Sequence, residues 1–171
     1  MLELPGLLDE TEMLIDLLNT TPVEAGTQHD HLADDRAAAE WIRAHDGPVT
    51  PEEVAATRRV RDVIQAVVRG EQSAERLAPY LADTALVPVI ESERLVWRLR
   101  VDGSTVAARA VLAWGRVEQR HPGRLRPCAN DECRLFLLDR SNANRAQWCS
   151  MAVCGNRMKA RRNYRKQAGG S

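Results

Sequence analysis

Apolar residues recur at helical spacing through the first half of the chain. Between residues 9 and 20, and just before them, leucine, methionine and isoleucine repeat at intervals of about three, four and seven, beginning at Leu7 and Leu8. This pattern predicts a first helix with one apolar face. The same periodicity predicts helices over residues 32–45, 50–69 and 73–83, with Gly47-Pro48 and Gly70 as breaks.

The third of these helices begins at a capping sequence, Thr50-Pro51-Glu52-Glu53. The Thr50 hydroxyl can accept a hydrogen bond from a free amide of the first turn, and proline suits the first helical position. Glu53 stands three residues after the cap and completes the pattern of a capping box. The sequence therefore predicts a helix start at Thr50.

The apolar period changes after residue 85. Residues 86–90 and 95–101 are rich in valine, leucine and tryptophan and flank a polar turn, which predicts a β-hairpin at about 86–101. Pro88 lacks an amide hydrogen, so its strand is expected at an edge. Ser104 then caps a predicted helix that ends at about residue 119, before the helix-breaking residues His121-Pro122-Gly123.

These elements predict the fold class and the domain organisation. Residues 1–121 are expected to form a mainly α N-terminal domain that contains the β-hairpin, an α+β arrangement. A small four-cysteine zinc-finger module with a C-terminal basic helix follows over residues 122–167. Residues 168–171 are predicted to be a flexible tail.

Length and composition narrow the class of protein. With 171 residues, 44% of them hydrophobic and 28% charged, the chain suits one ordinary domain with a small appended module. No stretch approaches the roughly 18 consecutive apolar residues of a membrane span, and the start lacks the pattern of a signal peptide. We therefore expect a cytoplasmic protein with no membrane partner.

The net charge is zero, but acidic and basic side chains are distributed unevenly along the chain. Residues 1–115 carry 11 basic and 20 acidic side chains, a net charge of −9, whereas residues 116–171 carry 13 basic and four acidic ones, a net charge of +9. A basic segment can approach polyanions, and an acidic one is repelled by them. The split indicates two separate roles, although attraction between the two parts would also account for it.

All four cysteines lie in the basic part, in the spacing C-x4-C-x15-C-x4-C. They are Cys128, Cys133, Cys149 and Cys154. Two close pairs joined by a short linker suit one tetrahedral Zn²⁺ ion, whose binding would replace the core that so short a module lacks. The zinc would be structural, because protein thiolates fill all four positions. Two disulfides, an iron–sulfur cluster or four unrelated thiols are the alternatives, and a reducing cytosol disfavours the disulfides.

The sequence also predicts local structure around these cysteines. Residues 134–139 are expected to form a short strand, and Ser141 to cap a turn of helix that leads to Trp148, whose ring would pack over the metal site. A helix is predicted from Ser150 to Gln167. Cys154 would lie near its first turn, where the positive end of the helix lowers the pKa of a thiol.

The last predicted helix carries a broad basic stripe and no acid from residue 154 to residue 166. Guanidinium groups held on a rigid helix can bind nucleic-acid phosphates, and neighbouring asparagines can reach sugars or bases. A solvated basic segment, or one that docks on the acidic domain, is the alternative. The candidate contacts are Asn156, Arg157, Lys159, Arg161, Arg162, Arg165 and Lys166.

The run Cys154-Gly155-Asn156-Arg157, with Trp148-Cys149 before it and Arg161-Arg162 after it, resembles the signature of the CGNR zinc-finger family. In that family the finger usually follows a helical domain called ABATE, and Ile15-Asp16-Leu17-Leu18-Asn19-Thr20 is similar to a segment near the start of that domain. The resemblance implies a bacterial, stress-induced transcriptional regulator with four zinc-binding cysteines. Paired arginines often precede the tryptophan in the family, whereas Ala146 and Gln147 stand here.

Taken together, these observations predict a zinc-binding transcriptional regulator whose basic helix contacts double-stranded DNA. A zinc-stabilised protein-interaction module and a thiol-based redox sensor are the alternatives. No nucleophile elbow, phosphate-binding loop or metalloprotease motif is present, so we do not expect an enzyme. The N-terminal domain offers Trp41, Trp97 and Trp114 for a homodimer contact or a small-molecule ligand, although burial in the core is the commoner use of such side chains.

Overall fold

The structure, a computed structural model, describes residues 10–168. Leu7 and Leu8 of the predicted first helix, and residues 169–171 of the predicted tail, lie outside this range. The elements in chain order are α1 Thr11–Leu18, β1 Val23–Glu24, β2 Thr27–Gln28, α2 Asp35–Ala44, α3 Pro51–Val68, a 3₁₀ helix Ala74–Leu81, β3 Thr84–Glu91, β4 Arg94–Val101, α4 Thr105–Arg120, β5 Leu125–Pro127, β6 Phe136–Leu138, a π-helical turn Met151–Gly155 and α5 Asn156–Ala168. The predicted α+β class with a terminal basic helix is confirmed.

The hydrophobic core lies between α1, α3 and α4. Each helix contributes one fully buried apolar face, as the sequence periodicity predicts: Leu14, Leu17 and Leu18 from α1, Val60 and Ile64 from α3, and Val106 and Ala110 from α4. Burial of each leucine, isoleucine or valine stabilises the fold by about 1.5–3 kcal/mol. Leu125 on β5 and Phe136 on β6 belong to the same core, so the β5–β6 hairpin packs on the helical domain.

The start of α3 corrects one predicted detail. Thr50 Oγ accepts from the Glu53 amide at 3.2 Å, as expected of a capping residue. The Glu53 carboxylate, in contrast, serves another helix and accepts hydrogen bonds from Ser104 Oγ at 2.8 Å and from the amides of Thr105 at 3.0 Å and Val106 at 2.7 Å. The predicted capping box is therefore only half formed, because the free amides at the start of α4 lie beside Glu53.

The long hairpin is confirmed, with β3 three residues longer and β4 one residue longer than predicted. β3 and β4 pair antiparallel from Thr84 opposite Val101 to Glu91 opposite Arg94, and Ser92 and Glu93 form the turn with φ of 47° and 64°. Positive φ at both central residues is typical of the tight turn that matches the twist of a hairpin. No residue of either strand is buried, and Ile90 is 71% exposed.

Three other local predictions are wrong in detail. The predicted fourth helix is a 3₁₀ helix, and Pro79 within it lacks the amide that an α-helical ladder requires. The polar residues of segment 27–31 predict a turn, but Thr27 and Gln28 form β2 and pair with β1 across Ala25 and Gly26, both at positive φ. The segment from Ser141 to Trp148 contains turns and no helix.

No helix within residues 10–168 combines the length and the apolar character needed to cross a bilayer. The three tryptophans considered for a ligand or a dimer contact are half-buried, and Trp41 and Trp114 pack against the core. Trp41 donates its indole N–H to Asp16 at 2.7 Å and stacks on His45 with ring centroids 4.0 Å apart. Trp114 is half-buried against the core, and Trp97 is half-buried on β4.

Candidate metal centre

Two loops bring the four cysteines together. Cys128 directly follows β5, and its amide bonds to the Leu135 carbonyl at 2.8 Å, which closes the first loop in front of β6. The second loop is held beside the first by the Ala129 amide, which donates to the Gln147 carbonyl at 2.8 Å. Cys149 stands in that second loop and Cys154 on the π-helical turn, so each cysteine pair reaches the centre from one local turn.

The four sulfur atoms have the spacing of a tetrahedral metal site. They all lie within 4.8 Å of one another, and Cys149 Sγ is 3.7 Å from both Cys133 Sγ and Cys154 Sγ. Zinc–sulfur bonds of about 2.3 Å give a tetrahedron whose edges are about 3.8 Å long. A disulfide needs about 2.05 Å, and an iron–sulfur cluster would spread its ligands over several iron atoms. The arrangement therefore fits four ligands of a single ion.

N–H groups point at three of the sulfurs, and one of them, the Leu135 amide, bonds to Cys133. The Cys149 amide lies 3.5 Å from Cys128 Sγ, and Asn130 Nδ2 lies 3.5 Å from Cys154 Sγ. Asn130 is fully buried, and its backbone carbonyl accepts a hydrogen bond from the Cys133 amide at 2.7 Å. Such donors stabilise thiolates and orient them toward a cation. Sequence reasoning missed Asn130, although a turn-forming asparagine between two closely spaced cysteines was a signal for it.

The pKa values of the thiols differ across the cluster. Burial raises the pKa of Cys133 to about 11, and burial and the neighbouring thiols raise the pKa of Cys149 further. Burial acts in the same direction on Cys154, but hydrogen bonds from Asn130 and from the neighbouring thiols bring its pKa below the ordinary value. The pKa of Cys154 is thus lowered in the predicted direction, but by side-chain hydrogen bonds rather than by the helix start. Cys133 and Cys149 must lose protons to a bound cation.

The helix start at the metal centre is a π-helical turn. Ser150 caps it by accepting from the Val153 amide at 3.3 Å, and Asn156 Nδ2 donates to the Ala152 carbonyl at 3.2 Å. Gly155 lies close to two side chains, because a Cβ at this position would be 2.9 Å from Sδ of Met151 and 3.2 Å from Cδ1 of Trp148. Trp148 therefore packs beside the turn that carries Cys154, whereas its position over a metal ion stays a prediction.

A buried carboxylate holds the connection between the cysteine pairs. Asp139 accepts from Ser141 Oγ at 2.6 Å, from the Ala146 amide at 2.8 Å and from Arg126 Nη2 at 2.6 Å. The Ser141 hydroxyl is the largest cause that lowers the pKa of Asp139 to about 2, with the Ser141 and Ala146 amides and Arg126 adding to it. Ser141 thus donates to Asp139 where the sequence predicted a helix cap.

Helix α5 carries the predicted basic residues on an exposed surface. Asn156, Arg157, Lys159, Arg162 and Arg165 are exposed, and the side chain of Lys166 lies outside the described part of the structure. Arg161 differs, because it is half-buried and pairs with Glu132 in the loop between the first two cysteines. Asn156 is also partly engaged, through its bond to Ala152.

The cysteine module is docked on the helical domain. Asn19, at the end of α1, accepts from the Phe136 amide at 2.7 Å and donates to the Phe136 carbonyl at 3.3 Å. The Arg69 guanidinium lies 4.5 Å from the centre of the Phe136 ring and bonds to the Arg134 carbonyl at 3.1 Å. An ion pair between Arg140 and Glu12 adds a third contact. These contacts fix β6, and none of the described side chains of α5 is buried.

Comparisons with known families cover almost all of this architecture. Residues 12–136 match the family ABATE, described as "Putative stress-induced transcription regulator", and residues 124–167 match the family described as "CGNR zinc finger". The two matches overlap at β5 and the start of β6, the segment whose side chains enter the helical core. None of the curated proteins compared with the chain is similar enough to count as a match.

Proposed function

Since the chain belongs to the ABATE family and ends in a CGNR zinc finger, we propose that it is a cytoplasmic transcriptional regulator that binds double-stranded DNA through α5 and has no enzymatic activity. The proposal rests on the position of the basic helix. Helix α5 starts at the four-cysteine centre, carries six basic residues and no acid, and buries none of its described side chains.

One structural Zn²⁺ ion is the metal that we propose for the centre. The donor set consists of four thiols, which suits zinc, and their spacing suits one tetrahedral ion. No position would remain for water or substrate, so zinc would stabilise the fold and supply no catalysis. Cys128, Cys133, Cys149 and Cys154 would hold the ion, and Asn130 and the Cys149 amide would orient the thiolates.

The zinc centre would hold α5 at a defined angle to the rest of the module. Cys154 would be the last metal ligand and lies two residues before the first candidate contact, Asn156, so loss of the ion would free the start of the helix. Exposed guanidinium and ammonium groups along α5 would bind phosphates of the duplex, and such contacts position a protein without reading its sequence. The acidic N-terminal domain would remain away from the DNA, where we propose that it receives a signal or a second protomer.

The test is binding of a random-sequence duplex, measured by fluorescence anisotropy with the zinc-loaded full chain over a series of salt concentrations. The proposal expects the affinity to fall steeply with salt. In a plot of the logarithm of the binding constant against the logarithm of the salt concentration, each neutralised phosphate contributes about −0.9 to the slope. The proposal also expects Cys154→Ser, which removes one ligand, to weaken binding strongly. Absence of binding at low salt, or equal binding by Cys154→Ser, would overturn the proposal.

A further inference from the structure

A groove lies between helix α5 and the loop that carries Trp148. Its volume is about 570 Å³, in the size range of ligand sites in proteins. Trp148, Met158 and Gly155 supply apolar surface, and cationic side chains of α5 stand along the groove: Lys159, Arg161, Arg162 and Arg165. The groove therefore combines an aromatic ring with four positive charges.

The charges of the groove are largely uncompensated. Among the described residues, Lys159, Arg162 and Arg165 form no ion pair and no side-chain hydrogen bond, and only Arg161 has a carboxylate partner, Glu132. No acidic side chain from residues 10–168 lines the groove. A phosphate of a duplex would interact only with the positive charges, and the apolar surface beside them would make no contact with it. An aromatic ring beside cations fits a ligand that presents a flat ring and phosphates together.

We propose that this groove binds an unpaired nucleotide of a nucleic-acid strand, with the base against Trp148 and Met158 and the flanking phosphates on Lys159, Arg162 and Arg165. The inference rests on the proposed function in one respect, namely that α5 contacts nucleic acid. Beyond that function, the inference assigns base binding to Trp148 and requires that the bound strand is locally unpaired. Every base has a π-face, so this contact would tolerate many sequences.

The experiment compares three fluorescent probes of equal length on the zinc-loaded full chain at one low salt concentration. The probes are single-stranded oligo-dT, the same strand with abasic sites throughout, and a duplex. We expect oligo-dT to bind about 5- to 150-fold more tightly than the abasic strand, the range that base–aromatic stacking supplies. Equal affinity for oligo-dT and the abasic strand would overturn the inference. This comparison uses only the wild-type protein, so it does not depend on the folding of any variant.

A pair of matched variants identifies the residue. Trp148→Leu is expected to lose the preference for oligo-dT over the abasic strand while it retains zinc and duplex binding, whereas Trp97→Leu on the distant β4 is expected to behave as the wild type. A zinc-loaded Trp148→Leu variant with an unchanged preference would overturn the role of the groove. Failure of the proposed function looks different, because the duplex would then be the probe that does not bind.

Discussion

The side chain of Asn19 pairs with the backbone of Phe136 as a neighbouring strand would, with its oxygen on the amide at 2.7 Å and its nitrogen on the carbonyl at 3.3 Å. Asn19 belongs to the end of α1, and Phe136 is the first residue of β6 in the cysteine module. One amide side chain therefore joins two parts of the chain that are 117 residues apart in sequence.

Asn19→Ala should weaken this attachment. The substitution leaves the Phe136 amide and carbonyl without their partner, and an unsatisfied buried group costs about 1–3 kcal/mol. We expect faster hydrogen exchange at the Phe136 amide and a lower midpoint of urea unfolding. The control is Asn163→Ala, at an exposed position of α5. Unchanged exchange at Phe136 in the Asn19 variant would show that the side chain does not hold the module.

Glu53→Ala should destabilise the helical domain although the residue lies at a helix start. Its buried carboxylate accepts from Ser104 Oγ and from two amides of α4, and their loss should cost about 1–3 kcal/mol of unfolding free energy. Glu52→Ala is the matched control, because Glu52 is the exposed neighbour on the same turn. Chemical denaturation of both variants measures the difference, and equal midpoints would contradict the assigned role.

Zinc affinity should rise with pH. The pKa of Cys133 is raised to about 11 and that of Cys149 is raised as well, so both thiols hold protons at neutral pH that the metal must displace. Each proton released should strengthen binding about tenfold per pH unit as long as the pH stays below the pKa of that thiol. Competition with a colorimetric chelator at pH 6.5, 7.5 and 8.5 measures this slope. A flat profile would mean that the thiols are already ionised.

Arg162→Ala should weaken duplex binding and reduce the steepness of its salt dependence by about 1 in the log–log slope, as the loss of one phosphate contact does. Arg162 is exposed and has no carboxylate partner among the described residues. The matched control is Arg43→Ala, which removes the same charge from an exposed position on α2. Anisotropy titrations at four salt concentrations give the slopes, and a slope equal to that of the control would remove Arg162 from the interface.

Glu132→Gln should strengthen DNA binding by a few-fold. In the structure Glu132 pairs with Arg161, and the charge and hydrogen bond of that arginine lower the pKa of the Glu132 carboxyl. Removal of the carboxylate frees one guanidinium for a phosphate and removes a nearby negative charge. Asp131→Asn is the matched control, because it removes the same charge from the next exposed residue of that loop. Weaker binding by Glu132→Gln would show that the pair positions α5 for contact.

Much of the fold followed from short-range patterns. Helical periodicity located α1 to α4, and the capping residues Thr50 and Ser104 lie at the predicted helix starts. The spacing of the four cysteines likewise predicted a common site, which the sulfur positions confirm. The assignment of the basic residues to nucleic acid stays a prediction, because no contact within the chain tests it.

Contacts between segments that are distant in sequence could not be predicted from local patterns. A carboxylate three residues after a helix cap has the same local pattern whether it bonds to its own helix or to another, and Glu53 bonds to residues 51 to 53 positions away. The partner of Asn19 is 117 positions away, and that of Asn130 is 24 positions away.

The sequence by itself determined helices α1 to α4, the long hairpin and the meeting of the four cysteines at one site, because each depends on residues within a few turns of chain or on a fixed spacing. Only the tertiary structure decided that β5 and β6 share the helical core, that Glu53 serves α4, and that Arg161 is already paired. The physical reason is that buried polar groups take whichever partner the packing brings within hydrogen-bond distance, and packing is set by the whole chain.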